Sequence, residues 1–414
     1  MTKLVVKGHQ SLTGDVELSG DQQTIMAIQA ASLLSTQGTV IIDNVPATTN
    51  VIAMNQLLQS LNVVINYDRH MRVLKMDATP TIETTKISGQ LLLAAGAILA
   101  RCHRVQLVDN GVNPEYETQI NQLCTLFKQF GATVELDNEG AQINAERLTG
   151  TQVDLAGSDL IITLALMMAT TMAQGISVLQ NPSHDPAVVE LAKVLNKMGA
   201  RVHGAGTSTI RVQGVTFLHS TDYYALDDQE EAGIYMISAA LTAGDILVRG
   251  ARQEHQIALI HHLEAMGNTV VVQHNGIRVI GTKLLLPIDI ATDFYSQVDD
   301  YVKMGLIALQ MSAQGQTTIH GFTANQLNMV GCVFADHHQQ LNYGDDRLTI
   351  DGPVTDFPRE INTNSSVMGL LALMNALVAQ QVTTINPAEV AGGSFMHLID
   401  RLIELGAKMQ LSFD

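Results

Sequence analysis

The sequence predicts an α/β (α+β) protein of two domains, built from six repeated βαβαβ-type units. The first observation is a recurring phrase in which a helix ends at glycine and a strand follows, the usual C-terminal cap of a helix. The copies are LFKQFGATVEL (126–136), LNKMGARVHG (195–204), LEAMGNTVVV (263–272) and LIELGAKMQL (402–411). LLQSLNVVIN (57–66) is a further copy with Asn62 at the glycine position, and a sixth copy without the glycine is expected near His338.

A second phrase, an apolar helix followed by a strand, alternates with the first. Its six copies start with IMAIQAASLL (25–34), LLLAAGAILA (91–100), LIITLALMMA (160–169), GIYMISAALT (233–242), MGLIALQMSA (304–313) and MGLLALMNAL (368–377). Successive copies are roughly 65–72 residues apart, longer than the periods of solenoid repeats. These helices are apolar nearly all round, which predicts burial on every side, whereas VVELAKVLNKMG (188–199) is amphipathic and predicts a surface helix. Each unit is expected to run strand, buried helix, strand, outer helix, strand.

The domain boundaries follow from the repeat count. Six such units are too large for a single hydrophobic core. Three complete units fall on each side of FLHSTDYYALDD (217–228). We therefore expect one domain of residues 1–20 and 222–414 and a second of residues 21–221.

Composition restricts the possible partners and the compartment. The 414 residues include 40 acidic and 23 basic side chains, a formal charge of −17, which disfavours nucleic acid and anionic lipid. Cys102, Cys124 and Cys332 lie far apart, as in a protein of the reducing cytosol. The N-terminus lacks a signal-peptide core, and the most apolar stretch (160–179) is broken at Gln174-Gly175, which favours a helix buried in protein. We expect a cytoplasmic protein.

The stretch SGDQQTIMAI (19–28) has the form of an anion-binding turn without a cation. Backbone N–H groups behind Gly20 would point out of a helix start, the usual geometry for holding an anion. The side chains there are Asp21, Gln22 and Gln23, and glutamine can hydrogen-bond a ligand but cannot neutralise one. Two interpretations stay open: a remodelled, neutral ligand site, or a helix start with polar surface residues.

The pattern as a whole resembles the enolpyruvyl transferase superfamily, and within it the UDP-N-acetylglucosamine enolpyruvyl transferases. The most specific phrases are LNKMGARVHGAGTSTIRVQGV (195–215) and EEAGIYMISAALTAGDILV (230–248), and the resemblance covers essentially the whole chain. It implies a two-domain inside-out α/β barrel. It also implies the transfer of an enolpyruvyl group from phosphoenolpyruvate to the 3′-hydroxyl of UDP-N-acetylglucosamine in peptidoglycan precursor synthesis, with no cofactor and no metal.

The chain departs from the family at most substrate-binding positions that the resemblance implies. The family's Lys-Asn pair is Gln22 and Gln23, and one family arginine falls at Gly89. The mobile loop is about four residues shorter and lacks its cysteine. The Arg-Pro-Val-Asp phrase that holds the diphosphate is Asn113, Pro114, Glu115 and Tyr116. A second arginine has become Gln229, and a third falls near Gly392.

Three family positions keep residues suited to a site. Asp293 in IATDFYSQ matches the family's proton-transfer carboxylate, with an exposed loop aspartate as the alternative. Glu231 and Phe322 also fall at substrate-binding positions of the family. The shortened stretch CHRVQLVDNGVNPEY (102–116) is expected to be ordered and unable to close over a ligand.

Other reactive side chains favour structural roles. Cys102 follows an apolar helix, which predicts a partly buried thiol of raised pKa. The pairs His261-His262 and His337-His338 do not suit a metal, because adjacent helical side chains point about 100° apart.

Two function classes remain. One is an enzyme of the family with weak activity or a less anionic substrate, and the other is a catalytically silent paralogue with a binding or regulatory role and an unidentified protein partner. The orientation of Lys86, Arg101, Arg104 and Arg359 would discriminate between them, because phosphoenolpyruvate needs converging cations.

Overall fold

The computed structural model describes residues 2–80, 82, 86–109, 114–136, 140–292, 300–334, 340–355, 357–363, 365–386 and 394–413. The chain divides into two compact units. The continuous unit is Gly20–Leu226, and the discontinuous unit combines Met1–Ser19 with Asp227–Asp414. Each unit has its own hydrophobic core.

Helices with described bounds occur in both units. In the continuous unit they are α1 (Gln22–Ala31), α2 (Thr49–Ser60), α3 (Ala95–Cys102), α4 (Pro114–Gln129), α5 (Leu160–Thr170) and α6 (Pro186–Lys197), with 3-10 turns at Ser32–Leu34 and Gly89–Ala94. In the discontinuous unit they are α7 (Gln229–Leu241), α8 (Gln253–Ala265), α9 (Asp300–Met311), α10 (Ala324–Val333), α11 (Ser366–Val378) and α12 (Ser394–Glu404).

The strands are short, from two to six residues. They are β1 (Thr2–Lys7), β2 (Thr13–Glu17), β3 (Val40–Asp43), β4 (Val64–Asp68), β5 (Val73–Asp77), β6 (Lys86–Ile87), β7 (Arg104–Val108), β8 (Thr133–Leu136), β9 (Gly140–Asn144), β10 (Gln152–Asp154), β11 (Ile176–Gln180), β12 (Arg201–His203), β13 (Thr209–Gln213), β14 (Asp222–Tyr224), β15 (Asp245–Arg249), β16 (Thr269–Gln273), β17 (Gly276–Ile280), β18 (Gly315–His320), β19 (Leu341–Tyr343), β20 (Arg347–Gly352), β21 (Glu360–Asn362), β22 (Val382–Asn386) and β23 (Lys408–Phe413).

These strands form six small sheets, three in each unit. The orders are β14-β3-β5-β4, β6-β7-β9-β8 and β10-β11-β13-β12 in the continuous unit, and β16-β17-β15-β2, β18-β20-β19 and β21-β22-β1-β23 in the discontinuous unit. The N-terminal strand β1 pairs with β22 and β23, so it completes the sheet formed by the end of the chain.

Among the described strands, five of the six sheets have four strands, one more than the sequence predicted for a repeat, and the sheet β18-β20-β19 has three. In the third repeat, β10 and β11 are parallel and joined through α5, as expected for a helical crossover. After α6, however, the chain forms a hairpin of β12 and β13, and β13 lies between β12 and β11. The prediction of three strands was wrong for this repeat, because a turn at residues 204–208 divides the segment 201–213 into two strands.

The two kinds of helix are buried as predicted. In α5 residues 161–170 are all buried, and in α7 residues 232–241 are all buried. The outer helix α6 buries Leu191, Val194 and Leu195 while Lys193 and Lys197 face solvent. Among the described helices, none has both the length and the apolar character needed to span a bilayer.

Glycines let the buried helices touch backbone to backbone. A Cβ on Gly96 of α3 would lie 1.7 Å from the carbonyl oxygen of Ala165 in α5. In the discontinuous unit, a Cβ on Gly233 of α7 would lie 3.1 Å from Val302 of α9. A side chain at Gly96 would therefore separate the two helices.

His262 is an internal histidine rather than half of a metal site. Its side chain, on α8, is 8% exposed, and its Nε2 accepts a hydrogen bond of 2.8 Å from Nε2 of the fully buried Gln310 on α9. An imidazole nitrogen that accepts is unprotonated. Burial lowers the pKa of His262 to about 4.

We predict that protonation of His262 lowers the free energy of unfolding at acid pH. The pKa of His262 is lower in the folded than in the unfolded state. The protein therefore has its full free energy of unfolding above about pH 6.5 and loses part of it as the pH drops towards 4. The loss between pH 7.5 and pH 5 should be about 2 kcal/mol from this group. Urea denaturation at both pH values should show a smaller loss for His262→Gln than for the unmodified chain. His261→Gln, at the exposed neighbour, is the matched control, and equal pH dependence of all three proteins would contradict the assignment.

Candidate functional site

The start of α1, where the sequence suggested an anion site, is capped by its own carboxylate. Oδ1 of Asp21 accepts a hydrogen bond of 2.8 Å from the backbone N–H of Thr24. Gly20 is not in the left-handed region; its Cβ would lie 2.3 Å from the carbonyl oxygen of Asn44, so glycine is needed here for close packing. Gln22, the first residue of the helix, is half-buried. A phosphate at this helix start would meet the charge of Asp21.

Two further buried helices begin in the same way. Oδ1 of Asp159 accepts from the N–H of Ile162 at the start of α5, and its Oδ2 accepts from the amide of Gln119 on α4. Asp228 accepts from the N–H groups of Glu230 and Glu231 at the start of α7, both at 3.0 Å. Sequence reasoning missed these caps, although an aspartate directly before an apolar run is their usual signal.

Gly89 and Tyr116, two of the predicted binding positions, lie in contact. Gly89 begins the 3-10 turn before α3 with φ of 61°, and a Cβ on it would lie 3.6 Å from the Tyr116 ring. Tyr116, in the first turn of α4, is half-buried and packs against the core of the continuous unit. An aromatic ring thus covers the position where the resemblance implies an arginine.

Other predicted positions around α4 are only partly described. Pro114 and Glu115 open the helix α4. Asn113 lies outside the described residues, as do the neighbouring residues 110–112. Within the stretch 102–116 that was predicted to be a shortened loop, residues 104–108 form β7, an interior strand of its sheet, and residues 114–116 begin α4. Its inability to close over a ligand stays a prediction.

Arg101 and Arg104 lie at the wrong end of the buried helix to serve a ligand at Gly89. Arg101 is in the last turn of α3, about 20 Å from Gly89 by the rise of the intervening helical residues. Arg104 begins β7, and its Nη2 donates a hydrogen bond of 2.6 Å to Oε1 of Gln142 on the neighbouring strand. Both arginines complement the negative end of α3.

Arg359 also lies near a helix C-terminus, whereas Lys86 lies near a helix start. Nε of Arg359 donates a hydrogen bond of 2.9 Å to Gln381, which follows the end of α11. Lys86 is exposed on β6, three residues before Gly89. Of the four cations that the sequence singled out, Lys86 is therefore the one placed close to a predicted binding position.

Gln229, at a position where the resemblance implies an arginine, is bound to the backbone around it. Its Nε2 donates to the carbonyl oxygens of Asp227 and Gly250, at 3.1 and 3.2 Å. Its Oε1 accepts from the N–H of Arg252 at 2.9 Å. The amide joins the start of α7 to the β15–α8 connection, a structural role within the discontinuous unit.

Glu231 is the centre of a hydrogen-bond network in the discontinuous unit. Oε2 accepts from the N–H and Oγ of Ser19, at 3.0 and 2.8 Å. Oε1 accepts from the hydroxyl of Tyr235 at 2.7 Å and lies 3.2 Å from Nδ1 of His397. With four donors on two oxygens and a side chain 11% exposed, Glu231 has its acceptor positions filled by the protein.

These contacts determine the ionisation of Glu231. Burial by itself would raise the pKa of the carboxyl group. The hydrogen bond and charge of His397, together with the bonds from Ser19 and Tyr235, outweigh burial and hold the pKa of Glu231 below its ordinary value. The network therefore keeps an internal anion beside the backbone of Ser19.

The remaining predicted residues differ in how they are placed. Phe322 is 5% exposed in the core of the discontinuous unit, where its ring contributes to packing. Gln23 is half-buried in the first turn of α1. Asp293 and Gly392 lie outside the described residues, so the proton-transfer role of Asp293 stays a prediction.

The structure bears on two further predictions, one for the Cys102 thiol and one for metal binding. Cys102 is half-buried at the end of α3, and burial raises the pKa of its thiol, which confirms the prediction. Within the described ranges, no group of three or more His, Cys, Asp or Glu side chains is arranged to hold a metal. His337 and His338 lie outside those ranges.

Comparisons with known proteins identify relatives along nearly the whole chain. Residues 6–402 match the family model of EPSP synthase (3-phosphoshikimate 1-carboxyvinyltransferase). The UDP-N-acetylglucosamine 1-carboxyvinyltransferase 1 of Halalkalibacterium halodurans is 30% identical over 417 residues, 99% of this chain and 94% of that protein. Its namesake from Staphylococcus aureus strain bovine RF122 is 29% identical over 418 residues, 99% of both chains.

Solved structures match the fold. The enolpyruvyl transferase NikO from Streptomyces tendae superposes with a TM-score of 0.83 at 20% identity, covering 99% of both chains. EPSP synthase from Acinetobacter baumannii gives a TM-score of 0.79 at 17% identity, covering 100% of both chains. The predicted fold class is therefore confirmed.

We predict that neutralising Glu231 destabilises the discontinuous unit. Glu231→Gln places an amide N–H₂ among groups that donate, so at least one donor loses its partner at a cost of about 2–3 kcal/mol. Glu230→Gln, at the exposed neighbour, should cost less than about 0.5 kcal/mol. Urea denaturation followed by circular dichroism measures both, and equal effects would show that the network does not stabilise the unit.

We also predict that an arginine cannot be restored at position 89 without cost. Gly89→Arg requires a left-handed backbone at a residue with a Cβ, which costs about 1–2 kcal/mol. Gln90→Arg, one position further in the same 3-10 turn, is the control and should be close to neutral. A Gly89→Arg protein as stable as the unmodified chain would contradict the backbone geometry.

Proposed function

The chain belongs to the EPSP synthase family of carboxyvinyltransferases, and from that premise we propose that it keeps the scaffold of a UDP-N-acetylglucosamine 1-carboxyvinyltransferase while performing that reaction weakly or not at all. The observation that carries the proposal is the charge at the helix starts. Asp21, Asp159 and Asp228 place carboxylates where buried helices are most able to hold an anion.

The substrates of the related transferases make this charge decisive. Phosphoenolpyruvate and a sugar nucleotide diphosphate each carry roughly two or more negative charges at neutral pH. Charge-assisted contacts from lysine and arginine are what such groups require. Carboxylates at the helix starts oppose them, and Arg101, Arg104 and Arg359 lie near helix C-termini.

The arginine positions implied by the family support the same conclusion. Gly89 is covered by the ring of Tyr116, and the amide of Gln229 is committed to backbone partners. Losing a single charge-assisted contact to a transferring group typically costs about 10²–10³ in rate. Losses within one catalytic group are not additive, so a single replacement does not restore activity.

This proposal includes two alternatives for the function of the chain. Gln22, Gln23 and the Tyr116 ring are neutral, and neutral hydrogen-bonding and aromatic groups suit a less anionic substrate. The alternative is a catalytically silent, cytoplasmic paralogue that keeps the fold for binding or regulation. Asp293 would supply the proton-transfer carboxylate in the first case and be dispensable in the second.

We predict no readily detectable phosphate release from phosphoenolpyruvate and UDP-N-acetylglucosamine, and none from the Gln22→Lys variant. The Staphylococcus aureus relative, assayed in parallel, serves as the positive control. Calorimetry with each substrate alone and with both would then separate binding without turnover from no binding. Turnover of the unmodified chain near about 1 s⁻¹, ordinary for an enzyme, would contradict the proposal.

A further inference from the structure

The outward face of one sheet in the continuous unit carries positive charge. In the sheet β10-β11-β13-β12, Arg201 and His203 lie on β12, and Arg211 lies on the adjoining strand β13. His203 is directly opposite Arg211 in the antiparallel register, and Arg201 is two residues before His203, so the three side chains share one face of the sheet. All three side chains are exposed. We name Arg201, His203 and Arg211 the β12–β13 cluster.

The positive charge is local to this part of an acidic chain. The protein has a net charge of −17, yet residues 191–221 contain four Lys or Arg, two His and no Asp or Glu. Arg201 and Arg211 occupy diagonal positions on neighbouring strands, where like charges repel. Among the described residues, neither guanidinium group has a hydrogen-bond or ion-pair partner. The β12–β13 cluster is therefore an excess of positive charge that the chain itself does not neutralise.

The same sheet face of the next repeat neutralises its arginines internally. Arg278 on β17 occupies the place in the sheet β16-β17-β15-β2 that Arg211 occupies on β13. Its Nε and Nη2 donate to the two carboxylate oxygens of Asp245 on β15, at 2.7 and 2.6 Å. Arg249 on β15 is likewise paired with Asp15 of β2. Each of these arginines therefore has a carboxylate partner within its own sheet.

In the sheet of the β12–β13 cluster, the two aspartate positions hold uncharged residues. Ile176 begins β11 as Asp245 begins β15, and each lies diagonal to the arginine of the neighbouring strand. Gln152 on β10 corresponds to Asp15 on β2 in the same way. Ile176 is 41% exposed, so this position is open to solvent. The face keeps an arginine and lacks the carboxylate that the next repeat places beside it.

A carboxylate from another molecule would complete this arrangement. We propose that the β12–β13 cluster binds a short acidic segment of a partner protein, which supplies the carboxylates that Ile176 and Gln152 do not. In an extended segment every second side chain points to one side, about 6.6–6.8 Å apart, which matches the spacing of Arg201 and His203 along β12. Arginine binds a carboxylate through two parallel hydrogen bonds, as Arg278 does within this chain.

The charge of the whole chain limits the length of the anion. Exposed charges are screened beyond about 8–10 Å at physiological salt, so a short segment experiences mainly the cluster. Nucleic acid or an anionic membrane extends over the acidic remainder of the surface, which repels it. A small phosphate compound favours a concave site, whereas these side chains lie on an exposed sheet face. The proposal is independent of whether the chain is an active transferase, because the cluster contains none of the site residues discussed above.

A peptide titration tests the proposal. The probe is a peptide of about twelve residues that alternates glutamate with threonine, and fluorescence anisotropy of a zwitterionic dye at its end measures binding. We expect a dissociation constant on the order of 100 µM at low salt, because exposed ion pairs are individually weak. Binding should weaken further at about 0.5 M KCl. The same peptide with glutamine in place of glutamate should not bind.

Two kinds of substitution separate docking from folding. Arg211→Gln removes a cation and should weaken binding about three- to ten-fold without lowering the urea midpoint, since it also relieves repulsion within the cluster. Ile176→Asp supplies an internal partner for Arg211 and should weaken binding by a similar factor while every cation stays in place. Ile176→Asn, similar in shape to aspartate but uncharged, and Arg347→Gln, at an exposed arginine of the discontinuous unit, are the matched controls and should leave binding unchanged.

Several results would overturn the proposal, provided that circular dichroism shows each variant to be folded. One is the absence of binding by the unmodified chain up to about 1 mM peptide, and another is equal binding of the glutamine peptide. A third is an affinity that neither Arg211→Gln nor Ile176→Asp changes. Displacement of the peptide by inorganic pyrophosphate or a short RNA oligonucleotide at about ten-fold lower concentration would also contradict it, because the cluster would then serve a phosphate-bearing ligand.

Discussion

A buried α-helix begins with backbone N–H groups that have no partner inside the helix, and this constraint governs the present structure. Nearly all of α1, α5 and α7 is enclosed. Their starts need hydrogen-bond acceptors, and the positive end of each helix favours a negative one. Asp21, Asp159 and Asp228 supply both within the chain. An acceptor built into the protein stabilises the helix without a ligand, and it also disfavours an anionic ligand at the same place.

Around Glu231, too, side chains at predicted site positions bind groups of the protein itself. The resemblance implies a substrate-binding position for this residue, yet its four acceptor positions are taken by Ser19, Tyr235 and His397. Gln229, two residues earlier, uses its whole amide on backbone groups. Identity with the family at a site position therefore does not establish contact with a substrate. In this chain the two positions hold together the beginning of α7.

The contacts between the buried helices do not depend on the charge at the helix starts. The buried helices approach through small residues, as where Gly96 meets the backbone of Ala165, and each sheet is held by backbone pairing between its strands. Those contacts join apolar groups or backbone atoms. The charges at the helix starts can therefore change while the repeated fold is kept. This accounts for a scaffold of high structural similarity to enolpyruvyl transferases at only 20% identity.

The sequence by itself determined the six repeats, the distinction between buried and outer helices, and the neutral character of the Gln22, Gln23 and Gly89 positions, because periodicity, capping glycines and residue charge are local properties. It assigned a single strand after the outer helix where β12 and β13 form a hairpin, since the pairing of two short strands is decided by their register in the sheet and not by a local period. Nor did it place Tyr116 over Gly89 or Arg104 against Gln142. Those contacts join residues 27 and 38 positions apart, and only the register of neighbouring elements in the tertiary structure decides which way such side chains point.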